Sequence, residues 1–284
     1  MKLTPAWLTA CVVLACLFSS GTVGAASSKS PTRFDLVAGP LQEVSGCAFS
    51  KRTADLVWLH NDSGDVPRVF ALDLVKRTVR PVTVTGSEAI DWEDMASAPG
   101  GTLVIGDIGD NNAKRDNVVV YRIPEPTRTD RSVAATAQML RYDDGPHDAE
   151  ALVVDPTDGS VFVITKEAQG PSKVFVAEGE ILRTFATITL DEGGFLFPNR
   201  ITGADALADG SGVVFRTYQS GYLLRRAKGG AWPSAFAAKP ESFELPAMVQ
   251  GESICARPKA RSVLTTSESR GAVKIPFAVT PVPK

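Results

Sequence analysis

The sequence predicts an all-β fold, and three of its features support that prediction. Short apolar runs alternate with turns along most of the chain, and 24 glycines and 19 prolines mark many of the turns. Helical spacing of apolar residues is scarce after about the first thirty residues, whereas runs bounded by Gly and Pro are typical of strands. One short segment also recurs five times, each time followed by a turn and a second β-rich run.

The recurring segment sets the predicted architecture. Its copies occupy residues 44–49, 92–96, 149–153, 201–205 and 251–255, at steps of 48, 57, 52 and 50 residues. Counted from the second residue of each copy, the next β-rich run begins ten or eleven residues later. A nearly constant inner spacing with a looser outer period indicates four-stranded blades with variable outer loops.

The last repeat has room for only three strands, whereas an unassigned apolar run at 34–37 precedes the first copy. An N-terminal strand can therefore complete the final blade and cover its open edge. The predicted fold is a five-bladed β-propeller closed by an N-terminal strand. A six-bladed ring with one degenerate blade and a β-sandwich with chance similarity between its strands are the alternatives.

Residues 1–25 are typical of a signal peptide. Lys2 provides the positive start, residues 6–18 are mostly apolar, and small residues at 23–25 form a cleavage site. The apolar stretch is too short for an ordinary membrane span. We therefore expect a secreted or periplasmic protein without a membrane span, with a flexible linker over 26–32 and one domain over 33–284. A lipoprotein anchored through Cys16 is the alternative.

Charge and cysteine content restrict the partners. The formal net charge of −2 gives no basic surface, which argues against a nucleic-acid polymer. Once the signal peptide is removed, Cys47 and Cys255 remain, in the first and last blades, which are neighbours in a closed ring. In an oxidising compartment they would form a disulfide or stay buried as inert thiols, and the sequence leaves both open. It also leaves the oligomeric state open.

The innermost strand of every propeller blade faces the central channel, so equivalent residues converge there. Three carboxylates in a narrow channel repel one another unless their pKa values rise or a cation lies between them. An oxygen-only set suits Ca²⁺ better than Mg²⁺, and a water-filled polar channel is the alternative. The second residues of the five copies all carry side-chain oxygen, and they are Ser45, Glu93, Glu150, Thr202 and Glu252.

The order Ser, Glu, Glu, Thr, Glu resembles the axial calcium site of the calcium-activated nucleotidases (apyrases). The resemblance implies a five-bladed propeller with Ser, Glu, Glu, Ser and Glu around the ion, so Thr202 is a conservative departure. This likeness covers only the five short copies. Over most of the chain, the motifs at 60–65, 91–94, 106–111 and 147–152 are similar to an exported bacterial β-propeller group, and that likeness implies no activity.

Strand ends and loops beside the predicted ring carry further candidate residues. Lys166 and Arg216 could hold a phosphate or a carboxylate of a ligand. Asp62 or Asp107 could take a proton beside a metal ion, and His147 could act as a general acid or base. Structural roles stay open for all five residues: salt bridges for the cations, turns for the aspartates and a hydrogen bond for the histidine.

Two functions fit this arrangement. The first is a Ca²⁺-dependent hydrolase of phosphate esters or anhydrides, with a small anionic substrate on the face that carries the ring. The second is a non-catalytic propeller that binds a ligand or a protein there, with a structural calcium. Covalent catalysis is disfavoured because the sequence contains no nucleophile elbow, P-loop or HExxH motif.

Overall fold

The computed structural model describes residues 30–190 and 200–284. The predicted signal peptide and the alternative lipoprotein cysteine, Cys16, lie outside the described residues. Among the residues it describes, no helix has the length and apolar character needed to cross a membrane.

The described chain is almost entirely β-structure, with one short helix. The strands are bounded by Gly-containing turns and by short polar loops, as the sequence pattern indicates. In chain order the elements are β1 (Thr32–Val37), β2 (Val44–Phe49), β3 (Leu56–Asn61), β4 (Arg68–Asp73), β5 (Thr78–Thr85), β6 (Trp92–Ala98), β7 (Thr102–Asp107), β8 (Val118–Pro124), β9 (Ser132–Ala134), β10 (Thr136–Tyr142), β11 (Ala149–Val154), β12 (Val161–Thr165), β13 (Ser172–Glu178), β14 (Ile181–Ile188), β15 (Ile201–Ala206), β16 (Gly212–Thr217), β17 (Ser220–Arg225), α1 (Trp232–Phe236), β18 (Glu241–Glu244), β19 (Gln250–Ala256), β20 (Ser262–Glu268) and β21 (Lys274–Pro281).

Antiparallel pairing groups these strands into meanders. Strands β2 to β5 pair in chain order, and the short β9 adds to β5 in parallel. The next meander runs β6, β7, β8, β10, and a short parallel contact between β10 and β14 joins it to the meander β11 to β14. Strands β15 to β18 form a separate sheet.

The N-terminal strand completes the last meander, as the sequence predicts. Strands β19, β20 and β21 pair in order, and β1 pairs antiparallel with β21 from Thr32 opposite Val279 to Val37 opposite Lys274. Because β1 covers the outer edge of β21, that edge is not left as a template for another chain.

The first strands of the meanders contact one another in a closed cycle: β2 contacts β6, β6 contacts β11, β11 contacts β15, β15 contacts β19, and β19 contacts β2. A two-layer sandwich does not produce such a cycle. At one end of these strands a small cavity receives one residue from each, and each of them lies four positions after a predicted axial residue. These residues are Phe49, Ser97, Val154, Ala206 and Ala256.

The apolar core lies between neighbouring meanders. One cluster joins Val104 of β7 and Leu152 of β11 with Phe175 of β13, and another joins Trp58 of β3 with Trp92 of β6. The inner strands β2 and β11 are buried along their whole length. Each large apolar side chain buried in this way stabilises the fold by roughly 1.5–3 kcal/mol.

The disulfide expected as one option is absent, because Cys47 and Cys255 are both free and buried. They lie in one apolar cluster on the contacting strands β2 and β19, where their side chains share a hydrogen bond. Burial raises the pKa of the Cys255 thiol well above its ordinary value. Since the thiolate is the reactive form, this environment favours the inert thiols of the alternative interpretation.

Candidate functional site

All five predicted axial residues fall within β-bulges. Where the first and second strands of each meander pair, the register shifts between Val44 and Cys47, Trp92 and Asp94, Ala149 and Ala151, Ile201 and Gly203, and Gly251 and Ile254. A bulge leaves a residue out of the ladder and turns its side chain in a new direction. The chain therefore has the same backbone irregularity at equivalent positions, and the residues inside it are all buried: Ser45, Glu93, Glu150, Thr202 and Glu252.

Two of these residues connect neighbouring inner strands. Ser45 Oγ donates to the Glu93 carbonyl oxygen at 2.6 Å and lies 3.3 Å from the Glu93 carboxylate. Thr202 Oγ1 donates to the Gly251 carbonyl oxygen at 3.1 Å, beside Glu252. The hydroxyl groups thus hold the backbone that positions the two glutamates.

A compact acidic group forms around Glu93. Carboxylate oxygens of Asp62, Asp91 and Glu93 lie within 4.8 Å of one another. The backbone of Gly109 packs directly against two of them, so that a Cβ atom at this position would overlap Glu93 Oε1 and crowd Asp91 Oδ2. The loop that follows β7 can therefore approach the carboxylates only because residue 109 has no side chain.

More carboxylates join this group on the Glu252 side. Gln250 Nε2 donates to Glu252 Oε1 at 3.0 Å and also to Glu268 Oε2. Glu268 shares side-chain hydrogen bonds with Asp62 and Glu252. We call this set the carboxylate funnel; it consists of Asp62, Asp91, Glu93, Glu150, Glu252 and Glu268.

Crowding and burial raise the pKa values in the funnel. Burial raises the pKa of Glu93 well above its ordinary value, and the charges of Asp62, Asp91 and Glu252 act in the same direction. Burial, reinforced by neighbouring carboxylates, also raises the pKa of Asp62 to about 6, of Asp91 to about 6 and of Glu268 to about 8. Such a group either holds protons or requires a cation.

Lys166 supplies one positive charge to the funnel. Its ammonium forms an ion pair with Glu150 Oε1, while Glu150 Oε2 is buried without a hydrogen-bond partner. The same ammonium opposes the rise in the pKa of Glu93 and of Glu252. Lys166 Nζ also lies 5.8 Å from the centroid of the Tyr218 ring. One lysine side chain therefore interacts with all three predicted axial glutamates.

Asp94 lies next to the funnel, at the centre of the closed cycle of inner strands. Its role was not predicted from the sequence. Its Oδ2 accepts hydrogen bonds from the backbone amides of Leu152 at 2.9 Å and Ala204 at 3.0 Å, and Oδ1 accepts from Met95 at 2.9 Å. Innermost strands leave one edge unpaired, and the buried Asp94 satisfies the amides of two of them. The sequence feature that could have identified Asp94 is its position in the repeat, directly after Glu93.

Asp107 does not suit the proton-accepting role considered for it. It is fully buried, and its two oxygens accept from the amides of Ile90 at 3.1 Å and Asp91 at 3.2 Å. Arg115 forms an ion pair with it at 2.8 Å. Since these partners occupy both oxygens, Asp107 instead fixes the backbone that presents Asp91 to the funnel.

Arg216 does not suit the ligand-binding role expected from its strand-end position. The side chain is fully buried, and its guanidinium donates to the carbonyl oxygens of Thr217 at 3.0 Å and Tyr218 at 3.2 Å. It also reaches the carbonyl oxygens of Ser253 at 3.4 Å and Thr266 at 3.3 Å. Arg216 therefore joins β16 to the neighbouring β19 and β20.

His147 makes structural contacts at the side of the funnel. Its Nε2 lies 2.8 Å from Asp144 Oδ1, and Asp144 also pairs with Lys173 at 2.6 Å. The imidazole contacts the rings of Tyr142 and Phe175 at centroid distances of 5.1 and 5.2 Å. These contacts agree with the hydrogen-bonding alternative, with Asp144 as the partner.

Comparison with known proteins supports the fold. No family model and no curated protein matches the sequence. Two solved structures, each 10% identical, are similar over most of their length: the major Malassezia sympodialis allergen Mala s 1, with a TM-score of 0.56 over 87% of this chain and 95% of the allergen, and a luciferin-regenerating enzyme, with a TM-score of 0.52 over 88% of this chain and 96% of the enzyme. Both are β-propeller-like, and this chain likewise has a β-propeller fold.

Proposed function

We propose that this protein is an exported five-bladed β-propeller that binds calcium in the carboxylate funnel and holds a small anionic ligand on the same face. The closed cycle of the inner strands and the equivalent bulges support a count of five blades. The signal-peptide pattern of residues 1–25 supports export.

The observation that carries the calcium proposal is the group formed by Asp62, Asp91 and Glu93. The oxygens of Asp91 and Glu93, around the start of β6, and of Asp62, after β3, lie within 4.8 Å of one another, where like charges repel unless a cation or protons intervene. The donor set is entirely oxygen, which suits a hard cation, and the buried Glu150 Oε2 without a partner supplies a further donor. The residues therefore fit calcium.

The proposed ligands fall into three groups. Asp62, Asp91 and Glu93 would hold the ion directly, and Glu150 and Glu252 would complete its coordination from the neighbouring inner strands. Ser45 and Thr202 would act through their hydroxyl oxygens, as the apyrase resemblance implies, while also anchoring backbone carbonyls. Bound calcium would offset part of the negative charge of the funnel and present a positive charge to an anionic group of a ligand.

A binding function is favoured because only part of the expected catalytic apparatus is available. Arg216 and Asp107 are engaged within the fold, and His147 pairs with Asp144. Hydrolysis of phosphate esters or anhydrides stays a second candidate because of Asp62. In that interpretation Asp62 lies beside the ion as a general base and is not a ligand, and in the calcium-free protein its half-buried carboxyl group has a pKa raised to about 6.

Calorimetric titration with Ca²⁺ tests the proposal. We expect the wild-type protein to bind one ion, and Glu93→Gln to weaken binding at least tenfold because a ligand charge is lost. Glu178→Gln is the matched control, since Glu178 lies on the surface and pairs only with the exposed Arg183 in the described contacts. Absence of calcium binding by the wild type would overturn the proposal.

Turnover assays separate the two candidates. Nucleoside diphosphates and phosphodiesters are offered with calcium or with a chelator. Calcium-dependent turnover that Asp62→Asn abolishes would establish the hydrolase. A calcium-dependent rise in melting temperature without turnover would establish the binding protein.

A further inference from the structure

We propose that Lys166 and calcium exclude each other at Glu150, so that calcium binding releases the Lys166 ammonium to the mouth of the funnel. This inference rests on the proposed calcium site. It concerns how that site is controlled, and it assigns Lys166 the role of an exchangeable internal cation.

The backbone fixes Lys166 beside the funnel. It follows directly after β12, and its amide donates to the Asp148 carbonyl oxygen at 2.9 Å, at the entrance of β11. This bond places the side chain next to Glu150, and the resulting ion pair is largely shielded, with side-chain exposures of 11% for Lys166 and 6% for Glu150. In this state the lysine holds one of the two Glu150 oxygens.

Calcium and the Lys166 ammonium repel each other when both are bound to Glu150. Calcium coordinated by Glu93 and by the unpartnered Glu150 Oε2 would lie beside an ammonium already bound to Glu150 Oε1. A divalent and a monovalent cation bound to the two oxygens of one carboxylate repel strongly, because partial burial weakens the screening of their charges by water. The divalent ion gains more from a set of several carboxylates, so the lysine is the cation that leaves.

The Lys166 side chain can also adopt a second position, away from Glu150. Its four-carbon stem is flexible, and the ammonium already lies 5.8 Å from the Tyr218 ring centroid. A rotation of the stem can therefore carry the charge away from Glu150 while it keeps a favourable contact with an aromatic ring. At the mouth the released ammonium would be available to an anionic ligand, which would couple ligand binding to calcium.

Chemical labelling of the wild-type protein tests the exchange directly. Lysines are acetylated briefly with an N-hydroxysuccinimide ester, with a chelator or with Ca²⁺, and the extent at each lysine is read by mass spectrometry. We expect calcium to increase acetylation of Lys166 several-fold. Lys173 is the control, since it pairs with Asp144 outside the funnel and is already 38% exposed.

Calorimetry on Lys166→Met adds an independent reading. We expect this variant to bind calcium about tenfold more tightly than the wild type, whereas Lys173→Met should bind as the wild type does. In calcium-loaded protein, AMP used as an anionic probe should bind more weakly to Lys166→Met than to the wild type.

The outcomes separate this inference from the proposal beneath it. If the wild type binds calcium but Lys166 labelling does not change, or if Lys166→Met binds calcium no more tightly, the exchange is wrong and the calcium site stands. If the wild type binds no calcium, both fail.

Discussion

Asp94 and Ala204 are joined across the centre of the fold, because the Ala204 amide donates to Asp94 Oδ2 at 3.0 Å. The same oxygen accepts from Leu152 at 2.9 Å, so a single carboxylate connects the inner strands β6, β11 and β15. Burial raises the pKa of Asp94 well above its ordinary value, while the three backbone amides favour the charged form. The ring is thus held at its axis by a side chain as well as by contacts between neighbouring strands.

Replacing this carboxylate should destabilise the whole fold. In Asp94→Asn one of the two acceptor oxygens becomes an NH2 group, so at least one of the three buried backbone N–H groups loses its acceptor. We expect the free energy of unfolding to fall by about 3 kcal/mol, as measured by urea denaturation. Glu178→Gln should leave it unchanged. An equally stable Asp94→Asn would contradict the bridging role.

Gly109→Ala should damage the cation site more than the fold. The new Cβ would overlap the ends of Glu93 and Asp91, which are side chains able to shift, rather than fixed backbone. We expect calcium affinity to fall at least tenfold, with a change in melting temperature of the metal-free protein of only a few degrees. Unchanged affinity in calorimetry would argue that these two carboxylates are not ligands.

As the pH rises, the stability of the calcium-free protein should fall and the stabilisation by calcium should grow. Asp62 and Asp91 have pKa values raised to about 6, and Glu268 to about 8, so the folded state holds more protons than the unfolded state between about pH 4 and 8. In chelator, the melting temperature should therefore fall as the pH rises through this range. The increment due to calcium should grow over the same range, because the ion binds ionised carboxylates.

Arg216 and Gly251 should be energetically coupled. A Cβ at residue 251 would overlap the buried guanidinium, so Gly251→Ala and Arg216→Met should each lower the free energy of unfolding by about 3 kcal/mol. Removing the guanidinium also removes the overlap, so Gly251→Ala should cost much less in the Arg216→Met background. Denaturation of the two single variants and the double variant with guanidinium chloride measures this coupling, and additive effects on the free energy of unfolding would contradict it.

The β-propeller fold could be predicted from the sequence because the spacing between the first two strands of each repeat varies by only one residue. The bulge lies at the same place in the first strand of each meander, so Ser45 and Glu150 could be aligned by counting alone. The closing strand was predictable for a similar reason, since a three-stranded last repeat needs an edge partner.

The directions of side chains at strand ends could not be predicted from residue spacing. Arg216 lies near the end of β16 and Lys166 directly after the equivalent strand β12, yet the guanidinium turns into the neighbouring meander and the ammonium enters the funnel. That difference depends on space provided by Gly251, which lies in a different repeat. Asp94 was missed because its partners, the unpaired amides of β11 and β15, become visible only once the ring is closed.

The pairing of β1 with β21 has a consequence for how the molecule is made. A polypeptide is synthesised from its N-terminus, so β1 is complete first and β21 last. The first segment to emerge must therefore wait, extended and without its hydrogen-bonding neighbour, until the rest of the polypeptide has arrived. Completion of the circle becomes the final assembly step, and a protein halted before residue 274 cannot complete it.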